Sequence, residues 1–140
     1  MSKEQIPRAY QIILETYKRK NYPVTLPEEE LYLAFEKMPE HYFLFGLYDN
    51  EVLIAVVASV RVTAGLLYNF YHADLSADRQ RSPLVLLLGE VYKFCQQEGI
   101  KFLDLGISSV KGEKNEGLFR FKENLGCEIS LKKTYVFNYD

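Results

Sequence analysis

Glycine and proline are scarce, with 8 and 5 in 140 residues. That is too little of either for a disordered or low-complexity chain, and it predicts a globular one. Cysteine is scarcer: Cys95 and Cys127 are the two, each inside an apolar or strand-like pattern and far from any Cys-x-x-Cys spacing. Such spacing gives neither a disulfide framework nor a metal site, and it predicts buried thiols in a reducing compartment. An excess of one charge is missing too. A net charge of −2 gives no footing for general nucleic-acid binding. Long apolar runs are also absent. The stretch VLIAVVASV is followed by Arg61 and falls far short of the roughly 20 residues a membrane helix needs. The opening MSKEQIPRAY has no apolar signal-peptide core. The expectation is a cytoplasmic protein without a membrane segment.

What is present is apolar pattern. Apolar residues make up 48% of the chain, and 140 residues suit one domain, 1–140, with a single core. Tyrosine is common, at 11, so a tyrosine-lined cleft is one reading and tyrosine packing in the core is the other. Residues 5–20 read as a helix with an apolar stripe at Ile6, Tyr10, Ile13, Leu14 and Tyr17. Thr25, with Glu28 three residues on and Pro27 between, reads as a capping box opening a second helix. Leu31, Ala34, Phe35 and Met38 form its stripe, and Pro39 stops it. From His41 the period shortens. YFLFGLY, a turn at Asp49-Asn50 and EVLIAVVASVRV predict a hairpin, and LLYNFYHAD a third strand.

The segment around which the rest is organised runs from that third strand to IKFLDLG. Between them Leu84, Leu87, Leu88, Val91 and Cys95 recur at helical spacing. Ser82 is placed to cap this helix, Pro83 suits its first position, and Gly99 its left-handed close. Strand, buried helix and apolar strand make a crossover, so the two strands should be parallel neighbours. A polar loop SSVKGEKNEG, a short helix GLFRFKENLG closed by Gly126, and an alternating CEISLKKTYVFNYD complete the chain. The predicted order is α-α-β-β-β-α-β-α-β, a mixed α/β sheet with helices on both faces.

Several residues stand out for chemistry. Arg79, Gln80 and Arg81 precede the crossover helix. A helix start offers free N–H groups to phosphate, and arginines strengthen such a site; the plain alternative is a solvated turn. Tyr71, His72 and Asp74 end the third strand beside the crossover, where ligands bind in sheets of this kind. His72 could take a proton from an amine, or be structural. Asp104 in FLDLG needs partners, either a substrate or the following loop. The aromatics Tyr68, Phe70 and Tyr71 read as core and cleft wall.

SPLVLLLGEVYKFCQQEGIKFLDLG followed by GLFRFKENLG, in that element order, resembles the GNAT N-acetyltransferase fold without its first strand. In detail it resembles the Fem-type aminoacyl transferases and the acetyltransferase domains of cellulose-biosynthesis proteins. The resemblance implies an acyl group passing from an activated donor, acetyl-CoA or another acyl-CoA, to an amine or hydroxyl on a small-molecule acceptor. The two would meet where the third and fourth strands separate. GNAT enzymes carry Q/R-x-x-G-x-G/A at the helix start, and the matching positions are Arg79, Ser82 and Leu84, so both glycines are replaced. Side chains there would crowd a coenzyme A diphosphate. Where many GNAT enzymes have an acidic tyrosine, this chain has Lys122, which the Fem-like branch uses against charge developing on a carbonyl. The resemblance also leaves open aminoacyl-tRNA as donor, a non-catalytic binding module, half of a tandem enzyme, and a homodimer paired through an exposed sheet edge.

Overall fold

A computed structural model describes residues 1–75, 82–106, 109–110, 113–114, 116–128, 130 and 136. Met1–Gly106 form one compact unit and Ile107–Asp140 another.

In the first unit a short 3₁₀ turn, Lys3–Gln5, leads into α1 (Ile6–Arg19), followed by α2 (Glu28–Lys37). The buried side of α1 is Ile6, Ala9, Tyr10, Ile12, Ile13 and Thr16. Leu14, expected on the stripe, is 44% exposed; it lies a further 100° round the helix from Ile13, beyond the edge of the apolar arc. The expected capping box at Thr25 does not form. Pro27 holds an extended backbone at the N-cap, its carbonyl accepts the Leu31 N–H at 3.0 Å, and the helix begins at Glu28. Leu31 and Phe35 are its buried residues, while Met38 lies past its end and is exposed.

Strands β1 (Tyr42–Asp49), β2 (Val52–Thr63), β3 (Leu66–Asp74) and β4 (Phe102–Asp104) form one sheet in that order. The β1–β2 turn falls on Asn50-Glu51, one residue later than expected. Both residues have positive φ, +47° and +72°, the geometry whose twist matches that of a hairpin. β1–β2 and β2–β3 pair antiparallel, and β3–β4 pair parallel as the crossover predicts.

The two faces have different partners. Leu44, Leu53, Val56, Ala58, Tyr71 and Ala73 form one core with α1 and α2. On the other face Phe94 of α3 (Pro83–Gln97) packs against Phe43 and Phe45, with ring centres 5.2 and 5.1 Å away. All five stripe residues of α3 are buried. Gly99 closes it at φ +69°, and the Ile100 N–H reaches back to the Cys95 carbonyl at 2.9 Å, the six-to-one bond of a helix end that a glycine permits.

In the second unit the loop expected after β4 contains a short hairpin, β5 (Ser109–Val110) with β6 (Glu113–Lys114). Then comes α4 (Glu116–Asn124), with Gly126 just beyond it at φ +85°. The expected last strand lies almost wholly outside the described residues.

Candidate functional site

The parallel pairing of β3 with β4 is brief. Leu66, Leu67 and Tyr68 face Phe102, Leu103 and Asp104, and there it stops. Beyond β4 the chain turns at Gly106, at φ +85°. A Cβ at Gly106 would lie 3.6 Å from both the Asn69 carbonyl oxygen and the Tyr68 ring. The turn is held by Asp104, whose Oδ1 accepts the Gly106 N–H at 2.8 Å. Of the two roles open to Asp104, the contact shown is the structural one.

Past Tyr68, β3 changes character. Ser59 faces Asn69 but Ala58 faces Tyr71, so Phe70 is an extra residue and the strand bulges. The edge that β4 has left is taken up by α1. The Thr16 hydroxyl donates to the Asp74 carbonyl at 2.9 Å and accepts the Asp74 N–H at 3.2 Å. Arg19 Nη2 reaches Asp74 Oδ1 at 3.0 Å. The His72 backbone N–H bonds the Tyr17 hydroxyl. Burial pushes that hydroxyl's pKa up to about 12; the His72 amide opposes the shift and neighbouring Tyr71 adds to it. Sequence reasoning missed Thr16 and Arg19, and read Tyr17 only as part of the apolar stripe, because a strand edge does not show in a helix stripe.

Tyr71 and His72, expected together, are not brought together. Successive residues of a strand point to opposite faces. Tyr71 is buried in the core shared with α1 and α2. Its ring stands edge-on to Tyr17, centres 5.3 Å apart, and its hydroxyl accepts the Leu26 N–H at 3.1 Å. His72, paired with Val57, is half-buried on the side of α3.

On the Tyr71 face a cleft of about 310 Å³ opens, lined by Thr25, Leu26, Tyr42, Val60, Tyr68, Phe70 and Tyr71. Leu26 forms its lip and is held by two tyrosines, its N–H by Tyr71 and its carbonyl by Tyr10 at 2.8 Å. Phe70 sits at the centre of the aromatic wall, 6.2 Å from Tyr42, 6.4 Å from Tyr68 and 5.1 Å from Tyr71 between ring centres. The reading of Tyr68, Phe70 and Tyr71 as cleft wall therefore holds. Thr25, Leu26, Tyr42 and Val60 were invisible as lining because three other elements bring them there. A groove of about 340 Å³ between Ile6, Pro7, Glu28, Glu29, Tyr32 and Leu33 contains no candidate residue.

At the start of α3, Arg79, Gln80 and Arg81 lie outside the described residues. Ser82 occupies the N-cap but makes no side-chain cap bond, because its backbone is left-handed at φ +51°, ψ +52°. An ordinary N-cap is extended and aims its hydroxyl at the first turn. A left-handed residue is a position glycine favours, at a cost of roughly 1–2 kcal/mol for any other residue. Ser82 thus keeps a glycine's conformation at the first missing glycine. Leu84, at the second, is 6% exposed within the buried stripe, so its side chain leaves the helix start clear. In the second unit Lys122 is buried at 7% exposure. Nearby, Cys127 has its pKa raised by burial and partly pulled back by the Lys122 charge. Among the described residues no cluster of metal-ligating side chains occurs, and no helix is long and apolar enough to cross a membrane.

The same architecture recurs in solved acetyltransferases. The aminoglycoside N-acetyltransferase AAC(6′)-Iy, in complex with CoA, superposes with a TM-score of 0.72 at 14% identity, covering 99% of this chain and 91% of that one. An aminoglycoside acetyltransferase from an uncultured soil metagenomic sample, in complex with sisomicin, gives 0.68 at 11% identity, with 99% and 93% covered. Ribosomal-protein-alanine N-acetyltransferase from Brucella melitensis biovar Abortus 2308 gives 0.68 at 9% identity, with 99% and 96% covered. At such identities the likeness is one of fold. No curated protein matches the sequence. The family profile described as acetyltransferase (GNAT) domain matches residues 2–123, a span that contains the parting strands, the bulge, the crossover helix and all but the last residue of α4. The chain belongs to the acetyltransferase (GNAT) domain family.

Proposed function

We propose that this chain is one acyltransferase domain, moving an acyl group from acyl-CoA to an amine on a small acceptor. The observation that carries the reading is the parting of β3 and β4 after three residue pairs, beside an aromatic cleft. The family and the CoA and sisomicin complexes of two neighbours support it.

Acyl-CoA supplies the acyl group as a thioester. The first-turn N–H groups of α3 suit its diphosphate, with Arg79, Gln80 and Arg81 adding charge. The inward Leu84 removes the crowding that the second missing glycine implied, while at the first Ser82 keeps the glycine-like backbone and an exposed side chain. Holding donor and acceptor in one cleft removes most of the entropic barrier. The amine nitrogen forms the new C–N bond, the C–S bond breaks, and the ammonium proton leaves for a base. His72 stands on the α3 side of the sheet, across from the cleft, so as the candidate base it takes that proton through a water relay. By the resemblance, Lys122 is the candidate for stabilising charge on the carbonyl oxygen. Tyr71 shapes the cleft, its hydroxyl already committed to Leu26. Within the family, the Ser82-Pro83 turn and Lys122 favour the Fem-like branch.

The test is a thermal-shift titration with coenzyme A and acetyl-CoA. At a hundredfold over Kd, binding adds about 2.7 kcal/mol and raises the melting point by roughly 5 to 15 °C. Arg79→Ala should shrink the shift. No shift with either ligand would end the acyl-CoA reading and leave aminoacyl-tRNA as donor, or a binding module on a GNAT skeleton. Gel filtration over a concentration series tests pairing of two copies through the outer edge of β1.

A further inference from the structure

We infer that the cleft beside the strand parting takes a single amine carried on a flat apolar body, an arylalkylamine in chemical class, and not a polycationic sugar. The inference rests on the acyl-transfer reading and names the acceptor of that same site.

Four of the seven lining residues are aromatic, and none carries a charge. Phe70 packs edge-on to Tyr42 and tilted against Tyr71, so the three form a continuous aromatic wall on which a planar ring can lie. The polar atoms on the lining side chains are the hydroxyls of Thr25 and of three tyrosines, and the Tyr71 hydroxyl is bonded to the Leu26 amide. A polycation in this cleft would give up hydration at several ammonium groups with no carboxylate among the described lining residues to replace it. A volume of about 310 Å³ lies at the lower end of the roughly 300–1,000 Å³ range of small-molecule sites. One ring with a short amine arm matches it better than a multi-ring sugar.

The same surroundings ease the chemistry. Burial among apolar groups lowers the pKa of an amine, because it penalises the charged form. A lone ammonium on an aromatic body therefore sheds its proton more readily on entry, and the neutral amine is the nucleophile. Tyr68 ties the cleft to the reacting point, since it lines the cleft and also lies against Gly106, where the chain leaves β4.

The experiment is calorimetric binding of 2-phenylethylamine and of sisomicin to the whole chain, with no acyl donor present. Phenylethylamine should bind, and sisomicin should bind at least tenfold more weakly. Tyr68→Leu should weaken phenylethylamine by roughly three- to tenfold, the worth of one aromatic contact, with an unchanged circular dichroism spectrum. Should that variant fail to fold, Thr25→Glu at the exposed rim serves instead; a carboxylate there should raise sisomicin affinity relative to phenylethylamine. Tighter binding of sisomicin than of phenylethylamine, or no binding of phenylethylamine, overturns the inference. The coenzyme A thermal shift is read without any amine. If the amine binds and coenzyme A does not, the donor assignment fails and the cleft assignment stands.

Discussion

The two halves of β3 share one sequence pattern and have different neighbours. Leu66–Tyr68 lie between β2 and β4 and are strand on both edges. Phe70–Asp74 keep β2 on one edge, but on the other the partners are side chains of α1: Thr16 on Asp74, Tyr17 on His72, Arg19 on Asp74. A strand edge left open is a template for pairing. Here Thr16 and Tyr17 occupy the edge groups that β4 would otherwise claim.

The largest expected effect is in the doubly paired half. Leu67 is fully buried, so Leu67→Ala should cost about 2–5 kcal/mol of stability in urea unfolding. A cost below 1 kcal/mol would mean that this half is not the anchor. Next comes alkaline pH. With the Tyr17 hydroxyl at about 12 when folded and 10.0 as its ordinary value, the unfolded chain loses that proton first. Stability is then full below pH 10 and falls by about 1.4 kcal/mol per pH unit from there toward 12. Tyr17→Phe should remove this part of the slope, and identical slopes would contradict the burial of that hydroxyl.

Thr16→Val keeps the shape and removes both bonds to Asp74. It should cost about 1–3 kcal/mol, the penalty of a buried group left unmatched, and it should reduce kcat/KM more than the drop in folded fraction explains. Tyr71→Phe frees the Leu26 lip for about 0.5–1.5 kcal/mol, and should raise the acceptor KM with kcat nearly unchanged. Last, Lys122→Met should slow alkylation of Cys127 by a few-fold near neutral pH, since the Lys122 charge holds that thiol's pKa down. An unchanged rate would separate the two groups.

Much of this was legible beforehand where the signal is local. The bounds of β3, the stripe of α3, Pro83 at its start and Gly99 at its end follow from residues a few positions apart, as does the parallel crossover. The failures came where two local rules competed. Thr25 and Glu28 satisfy a capping pattern, yet Pro27 is held extended and takes the N-cap itself. Ser82 reads as a cap, yet its left-handed backbone turns the hydroxyl away from that role. The candidate site was half legible. Tyr68, Phe70 and Tyr71 announce an aromatic wall, but Thr25, Tyr42 and Val60 join it only through long-range pairing. Thr16 reads as a polar interruption of α1 until the open strand edge that it satisfies is in view.

The most direct test of the account is amide hydrogen exchange along β3, with and without saturating acetyl-CoA. In the free protein, Leu66–Tyr68 should exchange slowly, while Asn69–Tyr71, beside the parting strands, should exchange faster. Acetyl-CoA should slow Asn69–Tyr71 and leave Leu66–Tyr68 unchanged. Binding that protects some other part of the chain, and leaves Asn69–Tyr71 as fast as before, would contradict the claim that the reaction is housed where β3 and β4 part.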